Sequence, residues 1–166
     1  MKITQYLLAV VLAHSLLLST ASAAELTAAQ NREIISDCTE LIHDYAYYRD
    51  LRDPEQVANL FTEDGGMQER GEWSIGHEAL KAHVLSDDMS TVSMHLISTI
   101  KIFPIDENNA TGVTYFAVAN EPKTEDGRPA TLESFRAIGQ YHDKMVRTED
   151  GWKFAERISD AVFFLT

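Results

Sequence analysis

The chain has 166 residues, 45% of them hydrophobic and 24% charged, with 8 Gly, 4 Pro and 1 Cys. That composition excludes collagen-like, low-complexity and intrinsically disordered chains, and the length suits one domain, since roughly 100–200 residues per domain is usual. A formal charge of −12 would be repelled by a nucleic-acid backbone or an anionic membrane, so neither is expected as a partner.

Residues 1–23 read as a secretion signal and not as fold. Lys2 gives a positive start, Leu7 to Leu18 is almost wholly apolar, and Ala21-Ser22-Ala23 is a small-x-small cleavage site. The apolar run is short for a bilayer core of about 30 Å. Cleavage after Ala23 would leave residues 24–166 as one exported domain, periplasmic or secreted, with no membrane attachment. An oxidising space permits disulfides, but Cys38 has no partner in the chain. It is either a small buried side chain on a helix face or a thiol open to intermolecular pairing.

Thr27-x-x-Gln30 is a capping box. Ile34, Ile35, Cys38, Leu41, Ile42, Tyr45 and Tyr48 then recur at three- and four-residue steps, one face of a long amphipathic helix. Asp53-Pro54 starts a short second helix with Val57, Leu60 and Phe61 on its apolar side, ended by Asp64-Gly65-Gly66. A short strand is predicted near Met67–Arg70, and a third helix after Gly76 with Ala79, Leu80 and Val84 inward. Beyond Asp88 the period becomes two. Val92–Phe103 and Ala110–Asn120 form one hairpin; Leu132–Arg147 and Trp152–Ile158 form another about Thr148-Glu149-Asp150-Gly151. The order is that of an α+β fold, three helices packed on one face of an antiparallel sheet. Met94, Leu96 and Ile100 fall on one face of the first long strand, Ile97 and Phe103 on the other. The face without helices then needs cover, which predicts a homodimer through the sheet.

His77-Glu78-Ala79-Leu80-Lys81 begins like a zinc-protease helix, but Lys81 stands where the second His is needed and His83 falls nearly opposite His77. No Cys cluster, calcium loop, phosphate-cradling glycine pattern or serine-hydrolase elbow is present, so neither metal nor cofactor is expected. What remains is a set of proton-moving side chains. Tyr45 lies on the buried stripe of the first helix. Asp50 sits where that helix turns into Asp53-Pro54, and pointing back between helices and sheet it would be sheltered enough to serve as a general base. His95, mid-strand beside Ser93, Ile97 and Thr99, could line a pocket and act near neutral pH. If the last turn pairs Arg147 with Trp152, His142 faces Arg157 across the strands, a pair able to hold an anion. Each residue also has a bland reading: Tyr45 as core, Asp50 as a solvated charge, His95 as a satisfied histidine, His142 and Arg157 as a cross-strand contact.

These residues fall in familiar segments. Asp44-Tyr45-Ala46, Asp50-Leu51-Arg52-Asp53, Leu60-Phe61-Thr62-Glu63-Asp64, Ile75-Gly76-His77-Glu78-Ala79-Leu80, Met94-His95-Leu96-Ile97, Gly139-Gln140-Tyr141-His142-Asp143 and the closing stretch from Arg147 to Arg157 together resemble SnoaL-like proteins of the nuclear transport factor 2-like superfamily. The resemblance spans about residues 30 to 158. It implies a strongly curved antiparallel sheet around a cone-shaped pocket, closed by three N-terminal helices (a cystatin-like α+β roll) and usually dimeric. Members include polyketide cyclases, steroid isomerases, scytalone and bile-acid dehydratases, and non-catalytic binding domains. In the dehydratases a pocket Tyr, an Asp five residues later and a strand His carry out acid/base elimination, and Tyr45, Asp50 and His95 match them. An Arg in the last strand of some members corresponds to Arg157. The dehydratases support the strand His with an acid or His on the next strand. Here that strand reads Tyr115-Phe116-Ala117-Val118-Ala119, which leaves His95 without that orienting bond unless Asn120 or Tyr115 replaces it. The resemblance thus implies a cofactor-free lyase or isomerase acting on a small hydrophobic hydroxy- or keto-compound, with Tyr115, His142 and Arg157 as further substrate-binding residues. The alternative is a non-catalytic small-molecule-binding or dimeric scaffold domain of the same fold.

Overall fold

A computed structural model describes residues 25–164; the proposed signal segment, residues 1–23, lies outside them. Helix α1 (Ala28–Leu51) opens on the capping box: the Thr27 hydroxyl accepts from the Gln30 amide at 3.2 Å, and Gln30 Oε1 accepts from the Thr27 amide at 2.9 Å. Ile34, Cys38, Leu41, Ile42 and Tyr45 are buried as their spacing requires, while Ile35 faces out. The stripe runs one turn further, to a buried Arg49. Arg49 and Asp50 therefore belong to the last turn of a helix and not to a loop. Arg52, in the left-handed region at φ 54°, ends it. Burial pushes the Cys38 thiol up to about 12, which makes it a small core side chain and not a reactive thiol.

Helix α2 (Pro54–Asn59) is capped by Asp53, whose carboxylate accepts from the Gln56 amide at 3.0 Å. It stops before Phe61, and Asp64-Gly65-Gly66 does not end it. Those residues lie inside strand β1 (Phe61–Glu69), longer than the short strand predicted there. The glycines are needed for close approach: a Cβ on Gly65 would sit 2.7 Å from the Phe154 carbonyl oxygen. Arg70 and Gly71, at φ 52° and 84°, make the tight two-residue turn that joins β1 to strand β2 (Glu72–Ile75). Helix α3 (His77–Leu85) follows, burying Leu80 and Val84, with Ala79 half-buried. Four strands of 14 residues complete the chain: β3 (Thr91–Pro104), β4 (Asn109–Pro122), β5 (Phe135–Thr148) and β6 (Gly151–Phe164).

The strands form one unclosed sheet in the order β2-β1-β6-β5-β4-β3. Every pair is antiparallel except β1 with β6, which is parallel, so the sheet is mixed. The helices cover its inner face, with α1 against β3.

Bulges decide which side chains face inward. On β3, Ile97 pairs with Phe116 but Ile100 with Thr114, so one extra residue lies on β3 and the alternation flips there. His95 and Ile97 share the inner face with Ile100 and Ile102, while Met94, Leu96 and Phe103 face out. This corrects the assignment of Ile100 and Phe103. A second bulge sets Ala155 aside on β6: Arg147 pairs with Trp152 as expected, yet Lys144 pairs with Glu156 and Asp143 with Arg157. His142 consequently lies opposite Ile158, and the expected His142–Arg157 pair does not form.

Arg157 instead belongs to the core. Its Nε and Nη2 donate to the two Asp143 oxygens at 2.7 and 2.8 Å, with both side chains fully buried. The guanidinium lies 4.0 Å from the centroid of Phe154, 4.2 Å from that of Tyr45 and 4.4 Å from that of Tyr141. Removing one partner from such a pair strands a charge, whereas replacing both with apolar groups of similar size leaves none. Asp143→Ala is therefore expected to lower the unfolding free energy by about 3–5 kcal/mol. In urea titration, Asp143→Leu combined with Arg157→Met should lose much less than Asp143→Ala alone.

Candidate active site

Between α1 and the inner face of the sheet lies a cavity of about 850 Å³. His95 reaches it from the middle of β3, and Tyr45 and Arg49 reach it from α1. β3 is an edge strand, so alternate backbone amides have no neighbouring strand to receive them. Asp50, in the last turn of α1, takes the one at His95: its two oxygens accept from the His95 amide at 2.9 and 3.1 Å. The same carboxylate meets His95 Nδ1 at 2.6 Å. Three contacts thus fix both backbone and ring.

A carboxylate on Nδ1 holds the proton there and leaves Nε2 as the accepting nitrogen. The resemblance places the orienting group on the next strand, where this sequence lacks one; here the bond comes from Asp50 on α1. Asp50 itself is not part of the cavity wall. Its carboxylate meets the cavity lining through His95.

Tyr45 is 2% exposed, and its hydroxyl donates to Met67 Sδ at 2.8 Å. Burial raises the phenol above its usual value, so it stays a neutral donor, and a thioether is a weak acceptor that a stronger oxygen can displace. Its ring meets the imidazole edge-on, centroids 6.5 Å apart. Tyr141 stacks on Phe116 at 4.2 Å, and burial holds its phenol well above the ordinary range.

The other expected residues separate. Tyr115 is 46% exposed on the outer face of the sheet, because the neighbouring Phe116 points in and successive strand residues alternate. His142 borders the cavity but is solvent-exposed between buried Tyr141 and Asp143. Arg157 is not in the wall; its guanidinium is held by Asp143 and packed against the Tyr45 and Tyr141 rings. Asn120 does line the cavity.

Sequence reasoning missed Arg49 and Glu69. Arg49 Nη1 donates to Asp87 at 2.7 Å, and Asp87 also lines the cavity. Its signal was available: it stands four residues after Tyr45, on the same helical stripe. Glu69, at the end of β1, had no such signal. Its carboxylate lies 3.3 Å from His83 Nε2. His83 is the chief cause holding the Glu69 carboxyl down at about 2, opposed by burial and helped by the charges of His83, Arg49 and Arg136.

A family model described as a SnoaL-like domain matches residues 30–158. No curated protein matches the chain. Among solved structures, a candidate scytalone dehydratase from Novosphingobium aromaticivorans is 23% identical with a TM-score of 0.69, covering 84% of this chain and 91% of that one. A hexachlorocyclohexane dehydrochlorinase (LinA, type 2) is 13% identical with a TM-score of 0.69, covering 84% and 92%. ActVI-ORFA from Streptomyces coelicolor is 18% identical with a TM-score of 0.66, covering 78% and 98%. At these identities the likeness is one of fold.

The Glu69 carboxyl is depressed on folding, so its contribution to stability is complete above its ordinary value of 4.5 and is lost as pH falls toward about 2. Unfolding titrations at pH 7, 5 and 3 should show Glu69→Gln less stable than the parent at the two higher values. At pH 3 the difference should narrow; an equal difference at all three would separate Glu69 from the acid limb.

Proposed function

Because the chain belongs to the SnoaL-like domain family, we propose that its cavity carries out cofactor-free acid/base elimination or isomerisation on a small hydrophobic hydroxy- or keto-compound. The observation that carries this reading is the Asp50–His95 contact of 2.6 Å, backed by the two bonds from Asp50 to the His95 amide. It presents one imidazole nitrogen to the cavity, with its tautomer fixed. Of the three structural relatives described, one is named for a dehydration and one for a dehydrochlorination, reactions in which a proton and a leaving group depart together.

In the dehydration, His95 Nε2 removes a proton from the carbon next to a carbonyl. The C–H electron pair becomes the new C=C bond and the carbonyl pair moves onto oxygen. Collapse of that enolate expels the hydroxyl on the next carbon, which takes the proton back from His95 and leaves as water. Isomerisation uses the same first step and returns the proton at a different carbon. Asp50 stabilises the imidazolium formed midway. Tyr45 exchanges its Met67 sulfur for a substrate oxygen, a bond worth more in a dry site than in water.

The enzyme in this reading is exported after loss of residues 1–23 and is a homodimer through the outer face of its sheet. Val92, Met94, Leu96, Phe103 and Tyr115 are each 45–57% exposed there, and large apolar side chains gathered on one face are of the kind that marks an interface.

With β-hydroxy ketones, enones and steroid-like ketones in D₂O, followed by NMR, His95→Ala should lower exchange or turnover about 10²–10⁴-fold. Asp50→Asn should act similarly while shifting the pH profile of the remaining rate, as expected of a group that works through an imidazole. Unchanged turnover in both variants removes this mechanism. Sedimentation equilibrium should find the parent dimeric and a Met94→Lys, Leu96→Lys variant monomeric; a monomeric parent rejects the sheet interface.

A further inference from the structure

Three arginines line the cavity, Arg49, Arg70 and Arg136, and of these Arg49 alone is buried, at 9% exposure. Its Nη1 is held by Asp87 at 2.7 Å, while its Nε has no hydrogen-bond partner. A buried donor left unmet is unfavourable unless something else in the protein's working cycle meets or uses it. Arg49 stands one helical turn beyond Tyr45, and the Tyr45 ring lies 6.5 Å from that of His95. A cation and a phenol therefore occupy one side of the space and the accepting imidazole another.

We infer that Arg49 is the oxyanion-binding residue of this cavity, and that the substrate is one whose departing proton lies next to a carbonyl carbon. The substrate half of this rests on His95 being the base. The expelled hydroxyl is neutralised by the proton on His95, so the negative charge left for a buried guanidinium to stabilise is that on an enolate oxygen. Asp87 and Glu69 already contribute negative charge beside Arg49. Asp87 balances the guanidinium at rest, and the charge that arrives on the substrate oxygen is transient.

The test uses 4-nitrophenol, an oxygen acid with no leaving group, so binding is read apart from turnover. At a pH where the free phenol is mostly neutral, the parent protein should bind it as the yellow phenolate. Its proton passes to His95 Nε2 or, in a His95→Asn variant, to solvent. Arg49→Met should weaken phenolate binding about 10–100-fold, the loss of a hydrogen bond to a charged group, with little change for neutral 4-nitrotoluene. Asp87→Asn should do the opposite and tighten phenolate binding, since it releases Arg49 from its counter-ion. A merely structural Arg49–Asp87 bridge predicts that both variants weaken it, and that result overturns the proposal, as does capture of the neutral phenol by the parent. Circular dichroism monitors folding; should Arg49→Met fail to fold, Arg49→Lys and Asp87→Asn decide the question. Phenolate binding with the predicted signs, but no elimination of any carbonyl compound, would reject the His95 mechanism and leave the Arg49 assignment standing.

Discussion

One carboxylate ties the helical layer to the sheet at the place where the chemistry is expected. Asp50 ends α1 and bonds simultaneously to the backbone amide and the ring of His95. An edge strand leaves amides that no neighbouring strand can satisfy, and such an edge also invites pairing with another chain. Meeting that amide with a helix-end carboxylate solves the backbone problem and sets the imidazole in the same act. The ring is thereby held by the architecture and not by a separate polar network, and its position follows wherever the end of α1 goes.

Beneath the cavity lies a second charged arrangement with a different purpose. Arg157 and Asp143 are wholly enclosed, with the guanidinium against the Tyr45, Tyr141 and Phe154 rings. A buried ion pair is weak evidence of net stability, because desolvation offsets most of the attraction. Its geometric effect is clearer. Bidentate pairing fixes the plane of the guanidinium, and two of the three rings packed against it, Tyr45 and Tyr141, form part of the cavity wall. The pair supports Tyr45 and Tyr141 from behind, where no substrate reaches it.

Much of this was legible in the sequence. The three-and-four spacing from Ile34 to Tyr45 placed α1 correctly, Thr27 and Asp53 marked both caps, and period two located the four long strands. Periodicity placed Tyr45 on a buried helix stripe and His95 on a strand face, and the family resemblance put the two in one pocket. The errors have a common physical source. Ala155 is one extra residue on β6, and it moves Arg157 from His142 to Asp143. The extra residue after Ile97 on β3 exchanges the faces of Ile100 and Phe103. A bulge is chosen by packing across strands, which a single strand's pattern does not record. Gly65 and Gly66 misled for a related reason: glycine marks both a turn and a close approach of two backbones, and only the position of Phe154 distinguishes them. Glu69 fell within the short strand predicted near Met67–Arg70, but its partner His83 lies on α3 and no local pattern records that contact.

The arrangement of the site on α1 has a consequence for precision. Tyr45, Arg49 and Asp50 lie within six residues of one regular helix, so their separations are set by 1.5 Å of rise per residue and the fixed turn of the helix. Two of them line the cavity and the third orients the imidazole on β3. Sites built on rigid elements hold their geometry better than those assembled from loops. The distance between the imidazole and the Arg49–Tyr45 side of the cavity is consequently governed by a single contact, the packing of α1 on β3.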